Sequence, residues 1–146
     1  MEKRLRWIII LALAGAFLST YSLKHHFDTR EGWCNLTAVL NCDIVNRGPY
    51  SEIAGIPVSL IGLIGYGGIA LVALIARTKK DEQKELVKLL KIALVGAFLF
   101  SLYLTYLEAF VLHVYCPLCL ISFAMVAASS ALVFSPTKYP NDLILL

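Results

Sequence analysis

The sequence predicts an all-α integral membrane protein, a four-transmembrane-helix bundle with an extracytoplasmic loop that contains a short helix. Three observations predict it. Of 146 residues, 59% are hydrophobic and only 16% charged, where a soluble domain carries about a quarter charged and a little under half apolar. Long apolar runs recur four times, uncharged but for Glu108 in the third. The basic residues fall unevenly between those runs. The same composition argues against a soluble globular enzyme and against a disordered chain, which would be poor in aromatic and branched residues. The net charge of +3 is small and the basic residues form no groove-like cluster, so a nucleic-acid partner has no support. The length suits one membrane domain over residues 1–146, without an internal repeat or a low-complexity tract.

The four runs are Trp7 to Leu23, Ile53 to Ala76, Ile92 to Leu112 and Val114 to Phe134. Each is near the roughly 20 residues that cross ~30 Å of hydrocarbon as a helix. In lipid a backbone must satisfy its hydrogen bonds within its own segment, so the runs should be helical. The first run could instead be read as a cleavable signal peptide, given its basic start and its small residues Ala12, Ala14, Gly15 and Ala16. It is longer than the ~7–15 residues of a signal core, which argues for a retained span.

Orientation follows from Lys and Arg. Lys3, Arg4 and Arg6 precede the first run, Arg77, Lys79, Lys80, Lys84, Lys88 and Lys91 lie between the second and third, and Lys138 follows the fourth. Lys24, Arg30 and Arg47 alone lie on the other side. This predicts a multi-pass protein of the cell membrane with both termini cytoplasmic. The segment 24–52 and the turn near His113 then lie outside.

That topology puts all four cysteines on the extracytoplasmic, oxidising side, where disulfides persist. Cys34 and Cys42 are eight positions apart in the outer loop, and Cys116-Pro117-Leu118-Cys119 opens the fourth span. Two structural disulfides, or four cysteines buried as small hydrophobes, are the plain alternatives. A Cys-x-x-Cys pair closes too small a loop to constrain the unfolded chain much, and it is a common redox arrangement. Pro117 suits the first helical position, which makes Cys116 the N-cap and puts Cys119 in the first turn. A thiolate there gains from free N–H groups and the positive helix end. The arrangement predicts a relay in which the outer pair exchanges with a soluble partner and then with Cys116, while Cys119 passes electrons inward. Each exchange runs through a mixed disulfide, so the loop must fold back over the fourth span. A four-thiolate zinc site is the rival use, against which the seven-residue spacing of the outer pair counts.

The acceptor expected at membrane depth is a lipid-soluble quinone. The third run offers Phe98, Phe100, Tyr103, Tyr106 and Phe110, of which Tyr103, Tyr106 and Phe110 share one helix face. Phe123 lies four residues after Cys119. A flat aromatic ligand could lie among these side chains, which could equally be packing. Gly62, Gly65, Gly67 and Gly68 thin the second run, for close helix packing or for ligand access. Glu108 is a charge within a span and a functional candidate by default, for proton handling or for anchoring at the outer interface. His113 could shuttle protons or be an ordinary surface histidine, and His25 and His26 read as solvated loop residues. Gly48 to Gly55 reads as a short helix started by Pro49 and ended by Gly55, laying Tyr50, Ile53 and Ala54 against the membrane surface, with Pro57 opening the second span.

Three segments, Asn41-Cys42-Asp43, Ile53-Ala54-Gly55-Ile56-Pro57-Val58-Ser59-Leu60-Ile61-Gly62 and Tyr115-Cys116-Pro117-Leu118-Cys119, together resemble the vitamin K epoxide reductase family, in its microbial, disulfide-generating branch. The resemblance spans roughly residues 5 to 135. It implies a four-helix bundle around a quinone pocket, of the ubiquinone or menaquinone type, to which Ser59 of the shared segment would contribute. It implies that Cys34 meets a secreted thioredoxin-like thiol oxidase, that Cys42 attacks Cys116, and that Cys119 lies beside the quinone. Three departures stand out. Many members have serine or threonine where this chain has Gly48, and Ser51 nearby cannot be assumed to replace it. Members that reduce vitamin K epoxide tend to have tyrosine where this chain has Phe123, which favours plain quinone reduction. Some microbial members carry a fused thioredoxin-like domain; with the sequence ending at Leu146, the partner is expected to be a separate protein.

The expectation is therefore a quinone-dependent thiol-disulfide oxidoreductase that generates disulfide bonds, with Cys34, Cys42, Cys116 and Cys119 catalytic, no metal, and Ser59, Tyr103, Tyr106, Phe110 and Phe123 around the quinone. The alternatives are a vitamin K epoxide or quinone reductase serving quinone recycling, and a non-enzymatic membrane protein with four structural or metal-binding cysteines.

Overall fold

A computed structural model describes residues 1–136; Lys138, one of the residues used for orientation, lies outside them. The chain folds as α1 (Glu2–Phe27), α2 (Cys42–Asn46), β1 (Glu52–Ile53), β2 (Ile56–Pro57), α3 (Val58–Thr78), α4 (Gln83–Leu107), a π-helical turn (Glu108–Leu112) and α5 (Pro117–Phe134). The four long helices are long and apolar enough to cross a membrane, and the chain is a multi-pass membrane protein. Their outer faces agree with this: Trp7, Leu13, Phe17, Ile64, Leu71 and Leu99 all point away from the bundle. Water would not tolerate so continuous an apolar surface.

α1 and α4 run further than the apolar runs predicted, whereas α3 starts at Val58 and α5 at Pro117, later than the runs from Ile53 and Val114. Lys24, His25 and His26 form the last turn of α1 rather than loop. The turn between α3 and α4 is short, and Lys84, Lys88 and Lys91 are already helical. Hydropathy marks where a helix enters lipid, whereas Gln, Lys, Glu and Leu hold helix in water just as well. Lys91 reaches back so that its Nζ lies 5.6 Å from the centre of the Phe134 ring.

α1 and α3 form the tightest pair, and the core gathers Leu5, Ile8 and Ala12 of α1, Ile69 and Ala73 of α3, Leu90 and Leu94 of α4 and Val126 and Val133 of α5. At one end, Arg4 donates to the carbonyls of Ser135 and Pro136, and Lys80 Nζ lies 3.2 Å from Glu2 Oε1. The basic ends of the helices thus meet there. The long loop and the α4–α5 connection meet at the opposite end, where Leu40 bridges to Tyr115.

The expected short helix over Gly48 to Gly55 is not formed. Its second half is an antiparallel hairpin, Glu52 opposite Pro57 and Ile53 opposite Ile56. Ala54 (φ 53°) and Gly55 (φ 80°) both take left-handed conformations, as a two-residue hairpin turn requires, and no right-handed helix passes through them. Tyr50 and Ile53 are exposed at this hairpin. Pro57 caps α3, as expected, one residue before its start. The loop's helix is instead α2. Asn41 caps it by accepting from the N–H groups of Asp43 and Ile44, and Asp43 adds an acidic first turn.

Candidate functional site

Cys116 is the N-cap of α5, with Pro117 in the first turn. Its Sγ accepts from the Cys119 N–H at 3.4 Å, so the sulfur takes the place of the usual capping oxygen. Cys116 is buried and Cys119 partly exposed, and both are free thiols. Cys34 and Cys42 are joined as a disulfide with Cα atoms 5.8 Å apart, and each is 2% exposed. Cys34, Cys42, Cys116 and Leu118 form one buried cluster, with Cys119, Leu18 and Tyr21 packed against it. Four sulfurs from two distant stretches of sequence therefore meet at one end of the bundle.

The loop that carries the outer pair is held by polar side chains. Asp43 Oδ2 accepts from Asn35 Nδ2 at 2.7 Å and from the Gly32 N–H at 3.1 Å, and Arg47 lies 3.9 Å from Oδ1. Burial pushes the Asp43 carboxyl up, but those two hydrogen bonds and the nearby charges of Arg47 and His25 outweigh it and hold the group below its usual range. Asn46 ties α2 to α1 by accepting from Ser22 Oγ at 2.8 Å and donating to the Ser22 carbonyl at 3.0 Å. His26 is no solvated loop residue: its Nδ1 lies 2.6 Å from the Asn46 carbonyl and its Nε2 3.0 Å from Glu52 Oε1. It links α1 to both α2 and β1, an arrangement that needs the tertiary fold to exist.

Below the sulfur cluster lies a cavity of about 530 Å³, lined by residues of all four long helices. Cys119 opens into it, together with Glu108, Ser59, Tyr66 and Ser122, among apolar walls that include Ile61 and Val126. Sequence reasoning missed Tyr66 and Ser122. The Tyr66 hydroxyl donates to the Ser122 carbonyl at 2.9 Å and lies 2.6 Å from Ser122 Oγ. Its ring packs against Gly15, where any Cβ would collide with it. A lone tyrosine among the glycines of the second span, and Ser122 one turn below Cys119, were the available signals.

The structure corrects the aromatic expectation. Tyr103, Tyr106 and Phe110 do share a face, and Tyr106 and Phe110 stack at 5.0 Å, but that face points outward: they are 51%, 56% and 68% exposed. None of the three lines the cavity, and nor does Phe123, which packs on Phe98 at 5.5 Å; of the third-run aromatics Phe100 does line it. Of the five residues expected around the quinone, Ser59 alone lines it. Spacing shows that side chains share a face but not which way that face turns, and an outward face in lipid is apolar too. The glycines divide as well. A Cβ on Gly62 would touch Ser19 Oγ at 3.0 Å, whereas Gly65, Gly67 and Gly68 have nothing within 4 Å. Gly65 and Gly68 therefore leave cavity space rather than admit a neighbouring helix. Gly48, by contrast, is required: a Cβ there would lie 2.6 Å from the Ile44 carbonyl oxygen. Ser51 lines the cavity while its Oγ donates to the Gly48 carbonyl at 2.7 Å.

Glu108 is 2% exposed, so it is no interfacial anchor. The π-helical turn begins at it, and its Oε2 accepts the Cys116 N–H at 3.0 Å. His113 ends that turn in a left-handed conformation (φ 51°). Among the described residues no group of three or more His, Cys, Asp or Glu side chains is arranged to hold a metal ion.

The bundle and its sulfurs define a multi-pass membrane protein with one cysteine pair in a folded loop and a second at the head of a helix, above an internal cavity. The model of the vitamin K epoxide reductase family matches residues 6–134, and the chain belongs to that family. Membership carries membrane oxidoreductase chemistry between thiols, disulfides and quinones. No curated protein matches the chain.

Proposed function

We propose that this protein takes electrons from a thioredoxin-like protein and passes them to a membrane quinone, generating disulfide bonds. The observation that carries the reading is the shared cluster of Cys34, Cys42 and Cys116, with Cys119 at the boundary between that cluster and the cavity. A partner dithiol reduces the Cys34–Cys42 disulfide and leaves oxidised. The Cys42 thiolate then attacks a Cys116–Cys119 disulfide at Cys116, and Cys34 resolves the mixed disulfide. The inner pair is left as two thiols, each exchange conserving two electrons.

The cavity suits a quinone head. Its volume lies in the range of small-molecule sites, and a largely apolar wall with a few polar groups matches what a ring with two carbonyls needs. Ser59, Tyr66 and Ser122 are the residues that would hold it, with Cys119 at its edge. Bound there, the quinone supplies a two-electron sink. Leu118 lines the cavity and packs with the loop disulfide and Cys116 in the buried sulfur cluster. The predominance of Lys and Arg at the opposite end of the bundle supports an extracytoplasmic position for all four sulfurs.

The test is quinone reduction by a reduced thioredoxin-like protein, repeated with each cysteine changed to alanine. Loss of the protein-driven rate in all four variants is expected. Full rates in both Cys34→Ala and Cys119→Ala would refute the relay. The donor must be a protein, because dithiothreitol can reach the inner pair directly and bypass Cys34 and Cys42.

A further inference from the structure

Glu108 has one feature that an anchoring role does not explain, which is its charge. A buried carboxylate is costly unless it is paired and hydrogen-bonded. Among the described residues no Lys, Arg or His forms an ion pair with it. Its one hydrogen bond to backbone, from the Cys116 N–H, leaves most of its acceptor capacity unused. A glutamine would take that N–H equally well at less cost. The rest of the carboxyl faces the Cys119 side chain, and both residues line the same cavity. The π-helical turn that starts at Glu108 shifts the side chains around it relative to an α-helix, and such turns are frequent at functional sites.

We infer that Glu108 is a catalytic residue, the base that takes the proton from the Cys119 thiol when the inner pair is oxidised. The inference rests on the proposed quinone reading and deepens it. In the step, the Cys116–Cys119 S–S bond forms and both S–H bonds break. Two electrons pass to the quinone, which ends as a quinol. The Cys119 proton moves to a Glu108 oxygen and from there into the cavity, toward a quinone oxygen; the Cys116 proton supplies the second hydroxyl. Glu108 ends as the carboxylate it began as. The titratable groups that face it are Cys116 and Cys119 of α5, with Tyr66 of α3 beyond Cys119, its hydroxyl engaged with Ser122.

The experiment compares Glu108→Gln and Glu108→Asp with the unchanged chain in two measurements. The first is single-turnover reduction of a short-chain benzoquinone by the fully reduced protein, over a range of pH. A positioned base is worth about 10²–10⁴-fold, so Glu108→Gln should lose on the order of a hundredfold near neutral pH. The loss should narrow as pH rises and solvent base takes over, while Glu108→Asp retains most of the rate. The second needs no quinone: iodoacetamide alkylation of Cys119 in a Cys116→Ser background, with the loop disulfide intact. With Glu108 present the rate should depend only weakly on pH near neutrality, and in Glu108→Gln it should rise steeply. Parallel alkylation profiles with and without the Glu108→Gln change, or a quinone-reduction loss constant across pH, would overturn the inference. If the unchanged chain passes no electrons to the quinone, the quinone reading fails. The alkylation profiles then still decide whether Glu108 serves Cys119.

Discussion

Leu40 and Tyr115 lie side by side in a single parallel β-bridge. The Tyr115 N–H donates to the Val39 carbonyl at 2.7 Å, and the Asn41 N–H donates to the Tyr115 carbonyl at 3.1 Å. The bridge sets the register between two distant stretches of chain. Cys42 follows Leu40 by two residues and Cys116 follows Tyr115 by one, so the clip that joins the backbones also brings the two sulfurs into one cluster. Side-chain exchange between the pairs is thereby built into main-chain hydrogen bonding.

This register gives the first prediction. In Cys119→Ala, Cys116 has no partner in its own pair. Its thiolate attacks the loop disulfide, forming a Cys42–Cys116 bond and releasing Cys34 as the free thiol. Peptide mapping of the unreduced variant should find that crosslink. A Cys34–Cys116 crosslink, or none, would contradict the order of the relay.

Asp43 makes the loop sensitive to acid. Its carboxyl is held below the ordinary value, so the folded loop prefers the ionised form. The resulting stability is fully present above the unfolded value of about 3.9 and is lost as pH falls through the lower folded value. Reduction of the Cys34–Cys42 disulfide by a water-soluble phosphine should therefore accelerate below about pH 4, as Asn35 and Gly32 lose their acceptor. Asp43→Asn should show fast reduction already at neutral pH and no acid transition. An unchanged acid transition in that variant would assign it to another group.

Gly15 is the position over which Tyr66 packs. Gly15→Ala adds one methyl group against the ring, and overpacking of this kind costs about 1–3 kcal/mol. Thermal unfolding in detergent should show a lowered midpoint, whereas Gly67→Ala, which meets open space, should not. Equal effects at the two positions would mean that α1 and α3 do not meet through Tyr66.

Tyr66→Phe keeps the ring over Gly15 and removes the hydroxyl that joins α3 to Ser122. A net hydrogen-bond contribution of about 1 kcal/mol corresponds to a roughly fivefold change in an equilibrium constant. Because the hydroxyl holds Ser122 in place at the cavity wall, its loss should raise the KM for quinone by up to about that factor while kcat stays within roughly twofold. A fall in kcat at constant KM would instead put Tyr66 in the chemical step.

Gly48 is tested by Gly48→Ser, which restores a hydroxyl at that position. The new Cβ would press on the Ile44 carbonyl, so α2 should loosen and the loop disulfide should be reduced faster by phosphine. Reduction at the unchanged rate would mean that the loop shifts to accept the side chain without strain.

Local chemistry was enough to reveal several features of this protein from its sequence. Four apolar runs imply four spanning helices because lipid offers the backbone no other partner. Pro117 after Cys116 implies an N-cap because proline fits the first helical turn, and the cap is present. The loop helix capped by Asn41 was not expected, and the helix expected over Gly48 to Gly55, with its proline start and glycine end, did not form. Two left-handed residues, Ala54 and Gly55, decided for a hairpin there.

Tertiary structure alone decided what faces what. Helical spacing groups Tyr103, Tyr106 and Phe110 on one side, yet in a bundle surrounded by lipid the inner and outer faces are both apolar, so the pattern carries no sign of direction. The packing of α4 turned that face outward and brought Glu108 inward beside Cys119. The approach of Tyr66 to Gly15, like the clip between Leu40 and Tyr115, joins residues far apart in the chain. Such contacts depend on how whole helices fit together, which no stretch of sequence specifies by itself.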